Sequence, residues 1–375
     1  MGTAYTPGLT VSADHVVQKT RRLPLKGEVL VTKGQIVEPH TVIARTELPG
    51  ILQSIKVSQK LGVEAKEVKD LLKVSIGDSV EVGQLLAESK GLFGLFKGQV
   101  LSEFKGKVED VSEVTGNVLV REPPTPIEIT AYLRGRVADV IPEEGAVVEA
   151  RGAVVQGIFG VGGERVGTLR AAVNSPDDVL DAHAIRDDDA GKVLIGGSQV
   201  TLDAIRKAEK VGVLGLVAGA VRDLDLTEYL GYDIGVAITG NEAIPLTIIA
   251  TEGFGRLRMA DRTFELLRSL EGKEASINGA TQIRAGVIRP EIIVPSDLPP
   301  TEVAAAADGA GALEVGTPIR IIREPWFGKL AKVSALPAEL QVVESGAEVR
   351  VLRAVLDESG QEVTLPRANV EIIAR

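Results

Sequence analysis

Short runs of alternating apolar and polar residues, each ended by glycine, fill roughly the first 170 residues of the chain. Segments 26–44 and 72–88 share one pattern: a strand, a Gly-polar turn, a Val two or three residues later, and an apolar pair before Ala. Segments 104–120 and 133–149 share another, Gly-x-Val-x-x-Val followed by a turn and a second strand. Period-two alternation places one face of each strand in a core, and glycine suits turns that need a positive φ. The pattern predicts repeated small β-modules over residues 1–172.

Helical spacing interrupts these repeats once and then returns further along the chain. Apolar positions 61, 65, 68, 71 and 72 predict a helical insertion over residues 61–73. From residue 192, continuous apolar runs alternate with amphipathic stretches, which predicts a small parallel α/β domain over residues 173–294. Its predicted strands are 193–195, 213–219, 234–240 and 246–251, and its predicted helices are 201–211, 224–230 and 258–270.

Two further segments complete the predicted organisation. Residues 295–314 are rich in Pro, Ala and Gly and are interpreted as a linker. Residues 315–375 return to alternation, with predicted strands at 319–323, 329–335, 347–356, 361–365 and 369–373. The predicted fold class is therefore a β-rich, mixed α/β, multi-domain chain.

The first module has a family resemblance. Its segment 77–87, Gly-Asp-Ser-Val-Glu-Val-Gly-Gln-Leu-Leu-Ala, resembles the biotinyl/lipoyl and barrel-sandwich hybrid family, and the resemblance extends over about residues 24–172. Carrier members of that family modify a Lys at a hairpin tip, usually beside Met or in an Asp-Lys-Ala setting, and no such tripeptide occurs here. We therefore expect an unmodified module with no cofactor. By analogy with unmodified members in transport adaptors, respiratory subunits and RNA polymerase, the resemblance favours a packing or docking role.

The C-terminal segment resembles the KOW motif of ribosomal proteins and of elongation factors of the Spt/NusG type. The resemblance is carried by Gly316, strand 319–323, an aromatic pair, Gly328 and Val333, and it implies a small SH3-like barrel that binds RNA, ribosomal protein or RNA polymerase. Residues 316–375 hold eight basic and eight acidic side chains, so this module is neutral overall. The candidate residues for stacking on nucleic-acid bases or binding a protein partner are Arg320, Arg323, Trp326, Phe327, Lys329 and Lys332. Alternatively, Trp326 has a structural role and packs over the core of the small barrel.

The candidate ligand residues follow the predicted strands of the α/β domain. Loops at the carboxyl edge of a parallel sheet usually bind ligands, and glycine-rich turns before a helix offer N–H groups to an anion. These candidates are Gly196, Gly197, Ser198, Asn241, Glu242 and Glu252. Arg284 and Arg289 are further candidates, because a guanidinium group can donate two hydrogen bonds to a carboxylate or phosphate. Alternatively, the glycines form tight turns, Ser198 or Thr201 caps the next helix, and the arginines pair with Glu252 or Glu291. The glycine cluster 157–164 lacks the Gly-Lys-Ser/Thr of a phosphate loop and is interpreted as a turn between domains.

Composition narrows the range of functions. A net charge of -10 disfavours sequence-blind binding to nucleic acid. The chain has no cysteine, and its three histidines lie far apart, so we expect no disulfide and no metal site. No apolar run of about 18 residues and no signal-peptide pattern occurs, so we expect a cytoplasmic protein that does not insert into membranes. The low Met and Cys usage is typical of a heat-adapted source.

Three hypotheses follow for the function. No catalytic set stands out, so the first is a non-catalytic adaptor or assembly protein, self-associating or bound to a protein partner. The second is an accessory factor of RNA, the ribosome or RNA polymerase that acts through residues 315–375. The third is an α/β enzyme or small-ligand sensor that uses the loops between residues 196 and 255.

Overall fold

The fold of this chain is rich in strands and is taken from a computed structural model. The structure describes residues 9–89, 98–233, 239–240, 242–282, 288–297, 313–321, 325–326, 329–342, 348–357 and 359–372. Strands outnumber helices and form several sheets, which confirms the prediction of a β-rich mixed fold.

The front part of the chain contains many short strands and one helical segment. Its strands are β1 (Val11–Arg22), β2 (Glu28–Val29), β3 (Ile36–Val37), β4 (Val42–Leu48), β5 (Leu52–Ile55), β6 (Ser79–Val80), β7 (Leu85–Glu88), β8 (Gln99–Leu101), β9 (Gly106–Val111), β10 (Val118–Arg121), β11 (Thr125–Thr130) and β12 (Gly135–Ile141). Its helices are α1 (Val57–Leu61) and α2 (Val68–Leu71), with a 3-10 helix at Ala65–Glu67 between them. Strands β5, β10, β9 and β6 form a four-stranded sheet, β11, β4 and β2 a three-stranded sheet, and β7 pairs with β8.

The helical insertion is shorter and more broken than the sequence predicts. Helix α1 ends at Gly62, which adopts a left-handed conformation with φ 65°. A residue with a Cβ rarely adopts this conformation, so the glycine stops the helix where the apolar spacing would have continued it. Val57 and Val68 are fully buried and anchor the two helical pieces in the core of this module.

The central part of the chain adds the parallel strands and three longer helices. Its strands are β13 (Gly145–Gln156), β14 (Phe159–Val161), β15 (Arg165–Ala171), β16 (Val179–Leu180), β17 (Lys192–Ile195), β18 (Gln199–Val200), β19 (Gly215–Val221), β20 (Thr247–Phe254), β21 (Glu274–Asn278) and β22 (Glu291–Pro295). Its helices are α3 (Leu202–Val211), α4 (Asp223–Leu230) and α5 (Asp261–Ser269), with a 3-10 helix at Ala182–Ala184.

One large sheet joins the central part to the front part. Its order is β14-β20-β19-β17-β15-β21-β22-β13-β12-β3, and β1 pairs with β13. Strands β15, β17, β19 and β20 run parallel to one another. The sequence predicts the last three as strands of a parallel layer but not β15, and the predicted strand 234–240 falls largely outside the described residues. Strand β13 pairs with β1 over most of its length and, on its other side, first with β12 and then with β22. The sheet therefore continues across residue 172, where the sequence places a domain boundary.

Helices cover both faces of the parallel strands. Leu194, Leu216 and Ile248 face the core that contains α3 and α4, whereas their neighbours Ile195 and Val217 face the core that contains α5. This is the period-two alternation of a strand buried on both sides, and it explains the continuous apolar runs in the sequence. Among the described residues, no helix is long and apolar enough to cross a membrane.

The C-terminal module, the described residues of 313–372, has a sheet and a core of its own. Its strands are β23 (Pro318–Ile321), β24 (Leu330–Ala335), β25 (Leu340–Val342), β26 (Glu348–Leu356), β27 (Glu362–Pro366) and β28 (Val370–Ile372). They pair antiparallel in the order β25-β26-β24-β23-β28, with β27 on β26. Five of these strands match the predicted ones, and β25 was not predicted. The aliphatic core includes Ile319, Val333 and Leu352.

Candidate functional site

The loops that follow β15, β17, β19 and β20, called the carboxyl edge below, bring several predicted ligand residues together. The Gly196 amide donates to the Val217 carbonyl at 2.7 Å, and the Gly219 amide donates to the Gly197 carbonyl at 2.7 Å. A Cβ atom at Gly197 would lie 2.4 Å from the Asp178 carbonyl oxygen, and one at Gly219 would lie 2.1 Å from the Leu257 carbonyl oxygen. The backbone of neighbouring loops thus fills the space beside these glycines, which only a residue without a side chain permits.

Ser198 is buried at this edge, and its hydroxyl is used by the fold. Its Oγ donates to the Asp177 carbonyl at 2.8 Å. The cap of α3 is instead Thr201, whose Oγ1 accepts from the Ala204 amide at 3.2 Å. The turn geometry and the Thr201 cap therefore agree with the alternative of a tight structural turn.

Glu252 also lies at the carboxyl edge, near the end of β20, and it is 2 % exposed. Its Oε1 accepts from the Ala260 amide at 3.1 Å and from the Thr251 hydroxyl at 3.1 Å. Its Oε2 accepts from Nη2 of Arg320, a residue of β23 that is 4 % exposed. A buried ion pair of this kind is expensive to desolvate and is held by good geometry. Here it attaches the C-terminal module to the carboxyl edge of the parallel sheet.

Arg320 retains two donor groups beyond this pair. Its Nε and Nη1 are buried and have no hydrogen-bond partner among the described residues. Its guanidinium therefore lies inside the molecule, so Arg320 is not exposed to stack on bases or bind a partner as the sequence suggests.

Glu242 has different hydrogen-bond partners from Glu252. Its Oε2 accepts from the Gly162 amide at 2.8 Å and from the Gly240 amide at 2.8 Å. Both glycines have positive φ, 84° and 106°. Gly162 belongs to the glycine cluster 157–164, so the N–H groups of that turn receive a carboxylate from the same chain. Within the part of the chain that the structure describes, Glu242 and Glu252 share no hydrogen-bond partner, and each anchors a different segment.

The remaining candidates are spread over the chain. Arg289 donates from Nη1 to the Ile158 carbonyl at 3.4 Å. Trp326 is half-buried and packs against the C-terminal core, Lys329 is half-buried, and Lys332 is exposed on β24. The candidates Asn241, Arg284, Arg323 and Phe327 lie outside the described residues.

A buried charge cluster surrounds Asp189. Asp189 is fully buried, and its carboxylate accepts from Arg170 Nη2 at 2.5 Å, from Lys192 Nζ at 3.2 Å and from the Arg186 amide at 2.8 Å. Burial alone would raise the pKa of Asp189, but these hydrogen bonds outweigh it and lower that pKa. The cluster fixes the loop between β15 and β17.

A second unpredicted cluster joins the front and central parts of the large sheet. Glu291 on β22 accepts from Lys19 Nζ at 2.6 Å and from the Tyr132 hydroxyl at 3.4 Å. Tyr132 is buried and has φ 66°, a conformation that is uncommon for a residue with a side chain. Burial, followed by the charge of Glu291, raises the pKa of Tyr132 well above its ordinary value. Glu291 therefore pairs with a lysine of β1.

The described residues contain no group of three or more histidine, aspartate or glutamate side chains arranged to hold a metal ion. No protein-family model matches the chain, and no curated protein was found to be similar to it.

Proposed function

We propose that this chain is a non-catalytic adaptor or assembly protein whose C-terminal module serves as a docking surface. The main support for this proposal is that the candidate chemical groups form hydrogen bonds and ion pairs within the fold itself. Ser198 donates to the backbone, Glu242 holds two glycine amides, and Glu252 is buried in an ion pair. A general acid or base must reach the proton that it transfers, and these three groups face their own chain instead.

The attachment of the C-terminal module supports the same proposal. The buried Arg320–Glu252 pair ties that module to the central sheet, so a partner bound to its outer face would be held at a fixed place on the scaffold. The resemblance to KOW modules supplies the expectation that this outer face binds a macromolecule. Among the candidates that the structure describes, Lys332 on β24 is exposed.

A solution measurement on the full chain tests the proposal. The protein is purified from its own cells without denaturation, and the masses of its complexes are measured by native mass spectrometry. We expect a defined homo-oligomer or a stoichiometric complex with a protein, weakened by Lys332→Glu and unchanged by Lys66→Glu, a matched change at an exposed lysine of the front module. An inert monomer without any partner would contradict the adaptor role.

The same variants separate the adaptor from the RNA-associated factor. Binding of single-stranded RNA is followed by fluorescence anisotropy at low and high salt, because phosphate contacts weaken as salt rises. Salt-dependent binding that Lys332→Glu removes would replace the adaptor by the RNA-binding alternative. A ligand screen by thermal shift tests the third alternative. If no ligand raises the melting temperature, the hypothesis of an enzyme or small-ligand sensor is ruled out.

A further inference from the structure

A cleft on the front module has the size and lining of a small-ligand site. Its volume is about 650 Å³, and its walls are formed by segments 76–81, 105–109 and 121–124. Ligand pockets of proteins span about 300–1,000 Å³ and are mostly apolar with a few placed polar groups. The apolar part here includes Pro123, Pro124 and Ile76, whose side chain is 60 % exposed.

Three cations and three carboxylates line the cleft, and two of each are paired with one another. Lys105 pairs with Glu81 at 2.8 Å, and Arg121 pairs with Glu109 through Nη2 and Oε1 at 2.7 Å. The ammonium group of Lys107 forms no hydrogen bond or ion pair with any residue that the structure describes. An anion bound in the cleft would meet this group first.

The strand register adds a reason for an anion at Lys107. Lys107 on β9 lies directly opposite Arg121 on β10, and directly opposite Ser79 on β6. Arg121 is already neutralised by Glu109, so a bound anion would interact with Lys107 and would have the Ser79 hydroxyl as a neighbouring donor.

The same surroundings limit the charge and the shape of the ligand. Glu81, Glu109 and Glu122 all line the cleft, so a multiply charged phosphate would meet repulsion from three carboxylates. A singly charged group would pair with the ammonium group of Lys107, and an apolar body would pack against Ile76, Pro123 and Pro124.

We propose that this cleft binds a small amphipathic anion: a carboxylate, or an equivalent singly charged group, on an aliphatic or aromatic body. The charged group lies at Lys107, and the apolar body lies against Ile76, Pro123 and Pro124. This site belongs to the front module and does not depend on the docking function of the C-terminal module.

Isothermal titration calorimetry of the full chain with octanoate tests the site. We expect saturable binding to the wild type, a roughly tenfold weaker affinity for Lys107→Gln, and loss of saturable binding for Ile76→Asp. Octanamide, which has the same apolar body without the charge, should bind as weakly to the wild type as octanoate binds to Lys107→Gln.

Matched variants outside the cleft show whether a loss of octanoate binding is specific to the proposed site. Lys66→Gln and Val114→Asp change an exposed lysine and a 90 % exposed valine that do not line the cleft, and both should bind octanoate like the wild type. The absence of saturable octanoate binding would overturn the proposal. Equal affinity for octanamide, an unaltered Lys107→Gln, or an equal loss in the controls would overturn it as well.

Discussion

Arg320 on β23 and Glu252 near the end of β20 form a buried ion pair between the C-terminal module and the parallel sheet. The edge at which an α/β fold usually receives a ligand is here in contact with another part of the same chain. Removing one partner would leave the other charge buried without compensation. The pair therefore predicts a strong coupling between the stability of the module and that of the sheet.

Arg320→Met should destabilise the C-terminal module by about 3–5 kcal/mol, because Glu252 would stay buried and unpaired. Trp326 is the single tryptophan of the chain and packs against the core of this module, so its fluorescence during urea unfolding reports the change directly. The double variant Arg320→Met/Glu252→Gln should recover much of the loss, since no uncompensated charge remains. An Arg320→Met protein as stable as the wild type would show that the pair does not hold the module.

Glu242→Ala should loosen the glycine turn without unfolding the protein. It removes the acceptor of the Gly162 and Gly240 amides, which are part-buried, so the loss should stay at or below the about 1–3 kcal/mol that an unsatisfied, fully buried donor costs. Hydrogen exchange of these two amides should accelerate, whereas the amides of α3 should keep their rates. Glu242→Gln retains an acceptor oxygen and should give a smaller acceleration, and equal rates in all three proteins would contradict the anchor role.

The features that were predicted correctly rest on local patterns. Helix α3 combines a Thr201 cap, a buried face of Ala204 and Ile205, and a glycine at position 212, all within one short segment. Contacts between distant segments leave no such pattern. Lys19 meets Glu291 across 272 positions, and Glu252 meets Arg320 across 68 positions. The apolar alternation of β13 predicts a strand but does not reveal that its partners come from both sides of residue 172.

Candidate chemistry was harder to predict for the same reason. Glu242 and Glu252 stand at the ends of predicted elements, where catalytic and ligand groups often lie, and only the packed structure shows which amides and cations they meet. In the acidic run at 187–189, Asp189 pairs with Arg170, a cation of another strand that the local sequence does not reveal. Conversely, the cleft at Lys107 gave no signal in the sequence, since a strand lysine beside glycine is ordinary on an exposed face.

Asp189 should make the central part of the chain sensitive to acid. Its folded pKa is lowered below the ordinary 3.8, so its contribution to stability is fully present above about pH 3.8. That contribution is lost as the pH falls through the folded pKa and the carboxylate becomes protonated. Asp189→Asn should therefore flatten the decline of unfolding free energy below pH 3.8, measured by urea titration with circular dichroism. Asp187→Asn changes an exposed neighbour and should leave the decline as in the wild type.

Tyr132 should stay protonated at pH values where an exposed tyrosine ionises. Its pKa is raised by burial and by Glu291, so folding is favoured fully below the ordinary value of 10 and loses this contribution as the pH rises towards the folded pKa. Absorbance near 295 nm should show a reversible step at alkaline pH to which Tyr132 does not contribute. Tyr132→Phe should leave that step intact and lower the alkaline unfolding sensitivity. A loss of the reversible step in Tyr132→Phe would mean that its hydroxyl reaches solvent, and the Lys19–Glu291–Tyr132 cluster would then not close the junction between β1 and β22.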